Sequence, residues 1–158
     1  MRSRLLKVGL GASIVVLALV AVVGVAVAQN WRLAPRYGTI TLRSGFTPDP
    51  HRVSLTAGGP TQTTQGGCTA YVAQNPDYRL NYTAGSLPLN IYVQSASDTT
   101  LLINAPNGQW SCNDDSNGLN PLVSFPSPQS GQYDIFVGTY SPATAPATLN
   151  ISELAPSW

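Results

Sequence analysis

Asp98-Thr99-Thr100-Leu101-Leu102-Ile103-Asn104-Ala105-Pro106-Asn107-Gly108-Gln109-Trp110-Ser111-Cys112-Asn113-Asp114-Asp115-Ser116-Asn117-Gly118-Leu119-Asn120-Pro121 is the stretch from which the fold is read. An acid opens a run rich in apolar and β-branched residues, Pro106-Asn107-Gly108 reverses it, and a return segment ends in oxygen-bearing side chains just after a cysteine. Proline presets one turn dihedral, while asparagine and glycine tolerate the left-handed geometry that a reversal demands. The closing cluster has the composition that hard cations require, since Ca²⁺ takes about six to eight oxygens at roughly 2.3–2.6 Å. Only 9% of the chain is charged, so the concentration of acids here stands apart from its surroundings.

On either side of this stretch, short segments alternate apolar and polar residues between Gly, Pro, Asn and Ser, and no long segment has helical periodicity. Strands are expected at Tyr37–Leu42, His51–Ala57, Cys68–Ala73, Asp77–Thr83, Leu89–Ala96, Thr100–Ala105, Leu122–Phe125, Gln132–Thr139 and Ala147–Glu153. Leu89, Ile91 and Val93 share one face; so do Tyr133, Ile135 and Val137, and likewise Leu149 and Ile151. One buried face per strand predicts an all-β, antiparallel sandwich of two packed sheets. Gly58 to Gly67, uncharged and rich in Gly, Thr and Gln, is expected to be a mobile surface loop. Arg79, between Tyr78 and Leu80, is expected to point outward, where an exposed ion pair contributes under about 1 kcal/mol.

At the N-terminus, Arg2, Arg4 and Lys7 precede an apolar run from Val8 to Val25, and Ala26-Val27-Ala28 has the small-x-small pattern of a cleavage site. These features predict a secretory signal peptide over 1–28, cut before Gln29, with an uncleaved anchor as the competing reading. The protein is then secreted or periplasmic, with residues 29–36 a flexible lead-in, 37–154 a single domain and 155–158 a tail. Beyond the signal lie five arginines, no lysine and seven acids. That balance gives no basic patch for nucleic acid, and no stable membrane insertion is expected after cleavage. Cys68 and Cys112 are the only cysteines. In an oxidising compartment they are expected to form one disulfide, whose loop closure stabilises by roughly 3–4 kcal/mol.

The order of these features resembles the bacterial pre-peptidase C-terminal domains. The resemblance is carried by Asp98-Thr99-Thr100-Leu101, Pro106-Asn107-Gly108, Asn113-Asp114-Asp115 and Gly131-Gln132-Tyr133-Asp134-Ile135-Phe136-Val137, within about Thr83 to Ile151. It implies a small jelly-roll-like sandwich of secreted proteins, often appended to peptidases. It also implies a calcium site, for which Asp98, Asp114 and Asp115 supply charge and Asn113 and Asn117 neutral oxygens. The bland alternative is that these residues shape a solvated turn. The cysteine pair and Trp110-Ser111-Cys112 depart from the general pattern, and no protease accompanies the domain in this sequence, so a free-standing module is expected.

Three functions follow as candidates. The first is a non-catalytic, calcium-stabilised module for adhesion, recognition or support, meeting an extracellular polysaccharide or protein matrix. The second is a small serine hydrolase, because Asp115-Ser116-Asn117-Gly118 is faintly similar to the sequence around a trypsin-like nucleophile and His51 lies upstream. Against it, adjacent carboxylates oppose a developing oxyanion, which needs hydrogen-bond donors. The third is a carbohydrate-binding or self-assembling surface protein, with Trp110, Tyr92 and Tyr140 as stacking contacts and open sheet edges for pairing. The bland reading of those aromatics is that they fill or rim the core.

Overall fold

A computed structural model describes residues 29–158; the expected signal peptide lies outside the described residues. The strands are β1 (Thr39–Arg43), β2 (His51–Ala57), β3 (Thr61–Thr63), β4 (Ala70–Val72), β5 (Tyr78–Thr83), β6 (Leu89–Gln94), β7 (Thr99–Asn104), β8 (Trp110–Asn113), β9 (Leu122–Phe125), β10 (Gly131–Thr139) and β11 (Ala145–Ser152). They form two sheets. In the first, β10 is central; β5 and then β1 lie on one side of its first half, and β4 and β3 continue at its end. β7 and β8 flank the other side of β10. The second sheet runs β2-β11-β6-β9. All pairings are antiparallel except β1 with β5, which is parallel.

The alternation read from the sequence sets which residues meet between the sheets. Leu89, Ile91 and Val93 of β6, Leu149 and Ile151 of β11, and Ile135 and Val137 of β10 are all fully buried in one core with Leu80, Leu101 and Ile103. Each large aliphatic chain buried this way contributes about 1.5–3 kcal/mol relative to an exposed one.

The first sheet is buried on its other face too. Leu102 and Phe136, with Ala70 and Val72, form a second cluster, against which Trp31, Trp110 and Cys112 pack. Gly138 lets this happen: a Cβ there would lie 2.8 Å from Val72 Cγ1 and 3.0 Å from Ala70 Cβ. Within residues 29–36, expected as a flexible lead-in, residues 30–36 form a strap tied along the sheet. Asn30 N–H donates to the Gln74 carbonyl (2.8 Å) and Arg36 N–H to that of Pro76 (2.9 Å), while Asn75 Nδ2 donates to the Ala34 carbonyl (2.9 Å).

Two arginine–aspartate pairs fasten the strap. Arg79 Nε donates to Asp134 Oδ1 at 2.6 Å, and its Nη2 donates to the carbonyls of Trp31 (2.6 Å) and Leu33 (3.1 Å). Its side chain is only 17% exposed and that of Asp134 2%. The expectation of a weak exposed pair is therefore wrong: Arg79 does point away from the inter-sheet core, but the strap covers it. The second pair joins Arg36 Nη1 to Asp77 Oδ1 at 2.9 Å, and Asp77 Oδ2 accepts Val137 N–H at 2.7 Å.

Asp77 is fully buried, and desolvation pushes its carboxyl from 3.8 up to about 7, against the opposing pull of the Val137 hydrogen bond and Arg36. A carboxyl raised on folding holds its proton more tightly in the folded chain than in the unfolded one. Its contribution to stability is thus full below the unfolded value and is lost as pH rises through about 7. Unfolding free energies of wild type and Asp77→Asn, measured by urea titration across this range, are expected to show wild type losing stability relative to the variant up to pH 7. The gap should then level off above it. A pH-independent gap would contradict the assignment.

Two other expectations differ from the structure. The expected mobile loop at Gly58 to Gly67 contains β3 and a 3₁₀ turn at Gln65–Gly67. The final strand starts at Ala145, because Pro146 lies where β11 pairs only β2; pairing with β6 begins at Thr148.

Candidate functional site

The β7–β8 hairpin is built as its sequence requires. Ala105 N–H donates to the Gln109 carbonyl (2.9 Å) and Gly108 N–H to that of Ala105 (2.8 Å), with Gly108 at φ +77°. β8 leads to Asn113 and into an exposed loop through Asp115, Ser116, Asn117, Gly118 and Leu119. Beneath the loop, Thr99 N–H donates to the Leu119 carbonyl (3.2 Å), which fixes the loop over the start of β7, immediately after Asp98.

Asp98, Asp114 and Asp115 therefore occupy one end of the sandwich. Burial first, then the negative charges of Asp115 and Asp114, raises the Asp98 carboxyl above its ordinary range. Neither neighbour is neutralised by a basic side chain within salt-bridge distance, for the two ion pairs among the described residues are Arg36–Asp77 and Arg79–Asp134. Yet among the described residues no three His, Cys, Asp or Glu side chains converge closely enough to cage a metal. Asn113 does not offer a free oxygen: its Oδ1 accepts the Ser116 hydroxyl (2.8 Å) and Leu122 N–H (3.1 Å). Asn117 is exposed and pairs through its backbone with Asn120. Of the five residues expected at a cation, the three acids share a neighbourhood, Asn113 closes the loop, and Asn117 shapes its tip.

Ser116 and His51 are engaged separately. The Ser116 hydroxyl donates to Asn113 in the loop after β8. His51 opens β2 in the other sheet, where Nε2 lies 3.0 Å from the Tyr78 hydroxyl and the two rings stack at 5.8 Å. Burial lowers the His51 pKa.

The three aromatics do not form one platform. Tyr92 is 1% exposed, with Trp158 edge-on against it at 5.2 Å. Trp110 tilts against Phe136 at 5.5 Å on the outer face of the first sheet. Only Tyr140 stands open, at 58% exposure, and its N–H donates to the Asp98 carbonyl (3.3 Å) beside the acidic loop.

Sequence reasoning missed two surface hollows that flank the hairpin turn. One, about 340 Å³, is bordered by Trp31, Asn104, Gln132 and Asp134. The other, about 230 Å³, is bordered by Gln109, Phe125, Gln129 and Tyr133. Amides, hydroxyls and ring edges line both, together with the apolar Ala105 and Pro106 that the two hollows share. No local motif announces them, because their walls come from the strap, the hairpin and the approach to β10.

The Cys68–Cys112 disulfide is present, with Cα atoms 6.0 Å apart. It joins β8 to the turn before β4, two parts of the first sheet on opposite sides of β10. Gly66, at φ +73°, lies under the bridge; a Cβ there would lie 3.1 Å from Cys112 Cβ.

This arrangement of sheets is the fold of a pre-peptidase C-terminal domain. The chain superposes on that domain of a collagenase from Bacillus anthracis with a TM-score of 0.50 and 15% identity, over 76% of this chain and 99% of the domain. It also matches PliG of Aeromonas hydrophila, a periplasmic inhibitor of g-type lysozyme, with a TM-score of 0.39 and 17% identity, over 73% of this chain and 96% of that one. No protein-family model matches the sequence, and neither does any curated protein. Among the described residues no helix is long and apolar enough to cross a membrane.

Proposed function

We propose that this chain is an exported, non-catalytic β-sandwich module for recognition, adhesion or structural support at or outside the bacterial envelope, and that its acidic loop gathers one Ca²⁺. The observation that carries the reading is the division of labour around the loop. The Ser116 hydroxyl is spent on Asn113, while Asp98 lies in the field of Asp114 and Asp115. A nucleophile needs a base within hydrogen-bond reach, and the one histidine is bonded to Tyr78 instead.

A divalent cation relieves the mutual repulsion of the three acids. Asp98, Asp114 and Asp115 would hold it, with carbonyls and water completing the shell; the protein contributes charge, and the ion contributes rigidity. The exposed loop has to rearrange to bring the carboxylates together. That reorganisation fits the weak affinity of extracellular calcium modules, with Kd of about 10⁻⁴–10⁻³ M. At calcium about a hundred-fold above Kd, linkage adds about 2.7 kcal/mol of stability. The melting temperature is expected to rise by several degrees in calcium of about 10–100 mM, and Asp114→Ala with Asp115→Ala to abolish the rise. A melt that does not respond to calcium contradicts the cation reading. A serine-directed phosphonate probe tests the rest: no labelling is expected, and labelling at Ser116 overturns the non-catalytic assignment.

The hollows beside the hairpin favour a neutral polysaccharide over a charged ligand. Their walls carry amides and hydroxyls, and the one carboxylate among them, Asp134, is bonded to Arg79 and Gln132. Glycan-array binding that is lost in Gln132→Ala would support this second reading.

A further inference from the structure

We propose that the mature protein begins with a pyroglutamyl ring formed from Gln29. The inference rests on the reading that export cleaves the chain after Ala28, which makes Gln29 the first residue. An N-terminal glutamine carries both partners of a ring closure. Its α-amine attacks Cδ of its own side-chain amide, a lactam N–C bond forms, the Cδ–Nε2 bond breaks, and Nε2 leaves as ammonia. No oxidant, reductant or second substrate is needed.

The setting of the Gln29 side chain in the uncut chain supplies a physical reason for closure once the chain is cut. Gln29 is 7% exposed, and its Nε2 is buried without a hydrogen-bond partner. Buried polar groups are rarely left unpaired in this way. The atom without a partner is the one that ring closure expels. The residue that follows is held in place: Asn30 N–H donates to the Gln74 carbonyl at 2.8 Å, Asn30 Oδ1 accepts Arg32 N–H at 3.1 Å, and its carbonyl accepts Leu33 N–H at 3.1 Å. A free terminus would add an ammonium to a strap that already carries Arg32 and Arg36. The lactam removes that charge and leaves a compact neutral cap on the strap. It also removes the free amine that aminopeptidases require, which protects a strap that covers part of the first sheet.

Mass spectrometry of the N-terminal peptide from the exported protein tests this. The expected peptide starts at residue 29, is lighter than the open form by one ammonia, resists stepwise amine-directed sequencing and is opened by a pyroglutamyl aminopeptidase. Gln29→Ala should give a free amine at the same position and faster trimming by a general aminopeptidase. A peptide starting at Gln29 with its amide intact overturns the ring and leaves the cleavage reading standing. A peptide starting elsewhere overturns both.

Discussion

Arg79→Ala is expected to cost about 3–5 kcal/mol, the loss typical of removing one partner from a buried ion pair. Three acceptors depend on this guanidinium: Asp134 Oδ1 and the carbonyls of Trp31 and Leu33. Asp134 would keep its hydrogen bond from Gln132 Nε2 at 2.7 Å, but its charge would remain buried without a cation. The strap would lose two of its anchors at once. Arg79→Lys should recover only part of the loss, because an ammonium cannot reproduce a planar fork that serves a carboxylate and two carbonyls together. Chemical denaturation measures both variants, and proteolysis within residues 30–36 should accelerate in Arg79→Ala. A loss below about 1 kcal/mol would place the pair with ordinary surface ion pairs and contradict the covering role of the strap.

The second large effect is that of the disulfide. Replacing both Cys68 and Cys112 by serine is expected to destabilise by roughly 3–4 kcal/mol through the regained entropy of the unfolded loop. For a domain of this size that corresponds to a fall in melting temperature on the order of 10 °C. The native-state consequence is local. The bridge is a covalent tie between β8 and the turn at Gln65–Gly67, and β3 and β4 are short strands of three residues each. Hydrogen exchange in the β3–β4 region should therefore rise more than in β6 or β11. Equal melts for reduced and oxidised protein would show that sheet pairing alone holds that edge.

The sandwich was legible where the alternation was clean. Leu89, Ile91 and Val93 face the core as their spacing predicts, with Asn90 and Tyr92 opposite. The covered outer face was harder to see, although a signal for it was present. Leu101-Leu102-Ile103 and Ile135-Phe136-Val137 do not alternate, and an unbroken apolar run marks a strand buried on both faces. Reading those runs that way would have predicted a cover for Leu102 and Phe136, and hence a buried setting for Arg79. The strap itself carries no periodicity: its backbone bonds go to Gln74 and Pro76, partners chosen by the tertiary fold. β3 was illegible for a similar reason, since Thr61-Gln62-Thr63 is a strand only through pairing with Ala70–Val72.

At the candidate site, the resemblance nominated three acids and two asparagines together and gave no means of telling the asparagines apart. Asn113 and Asn117 looked equivalent as oxygen donors. The fold gives Asn113 a closing role through Ser116 and Leu122 and leaves Asn117 at the tip. The aromatic residues were separated by topology: Tyr92 and Trp110 lie on strands of different sheets, so no choice of rotamers unites them with Tyr140.

We propose above all that the loop after β8 gathers a cation with its acids and does not cleave bonds with its serine. Calorimetric titration of calcium into the purified protein tests it most directly. One saturable site per chain is expected, lost in Asp114→Ala with Asp115→Ala and retained in Ser116→Ala. An absence of saturable heat in the wild type, or a site that survives loss of both aspartates, would contradict it.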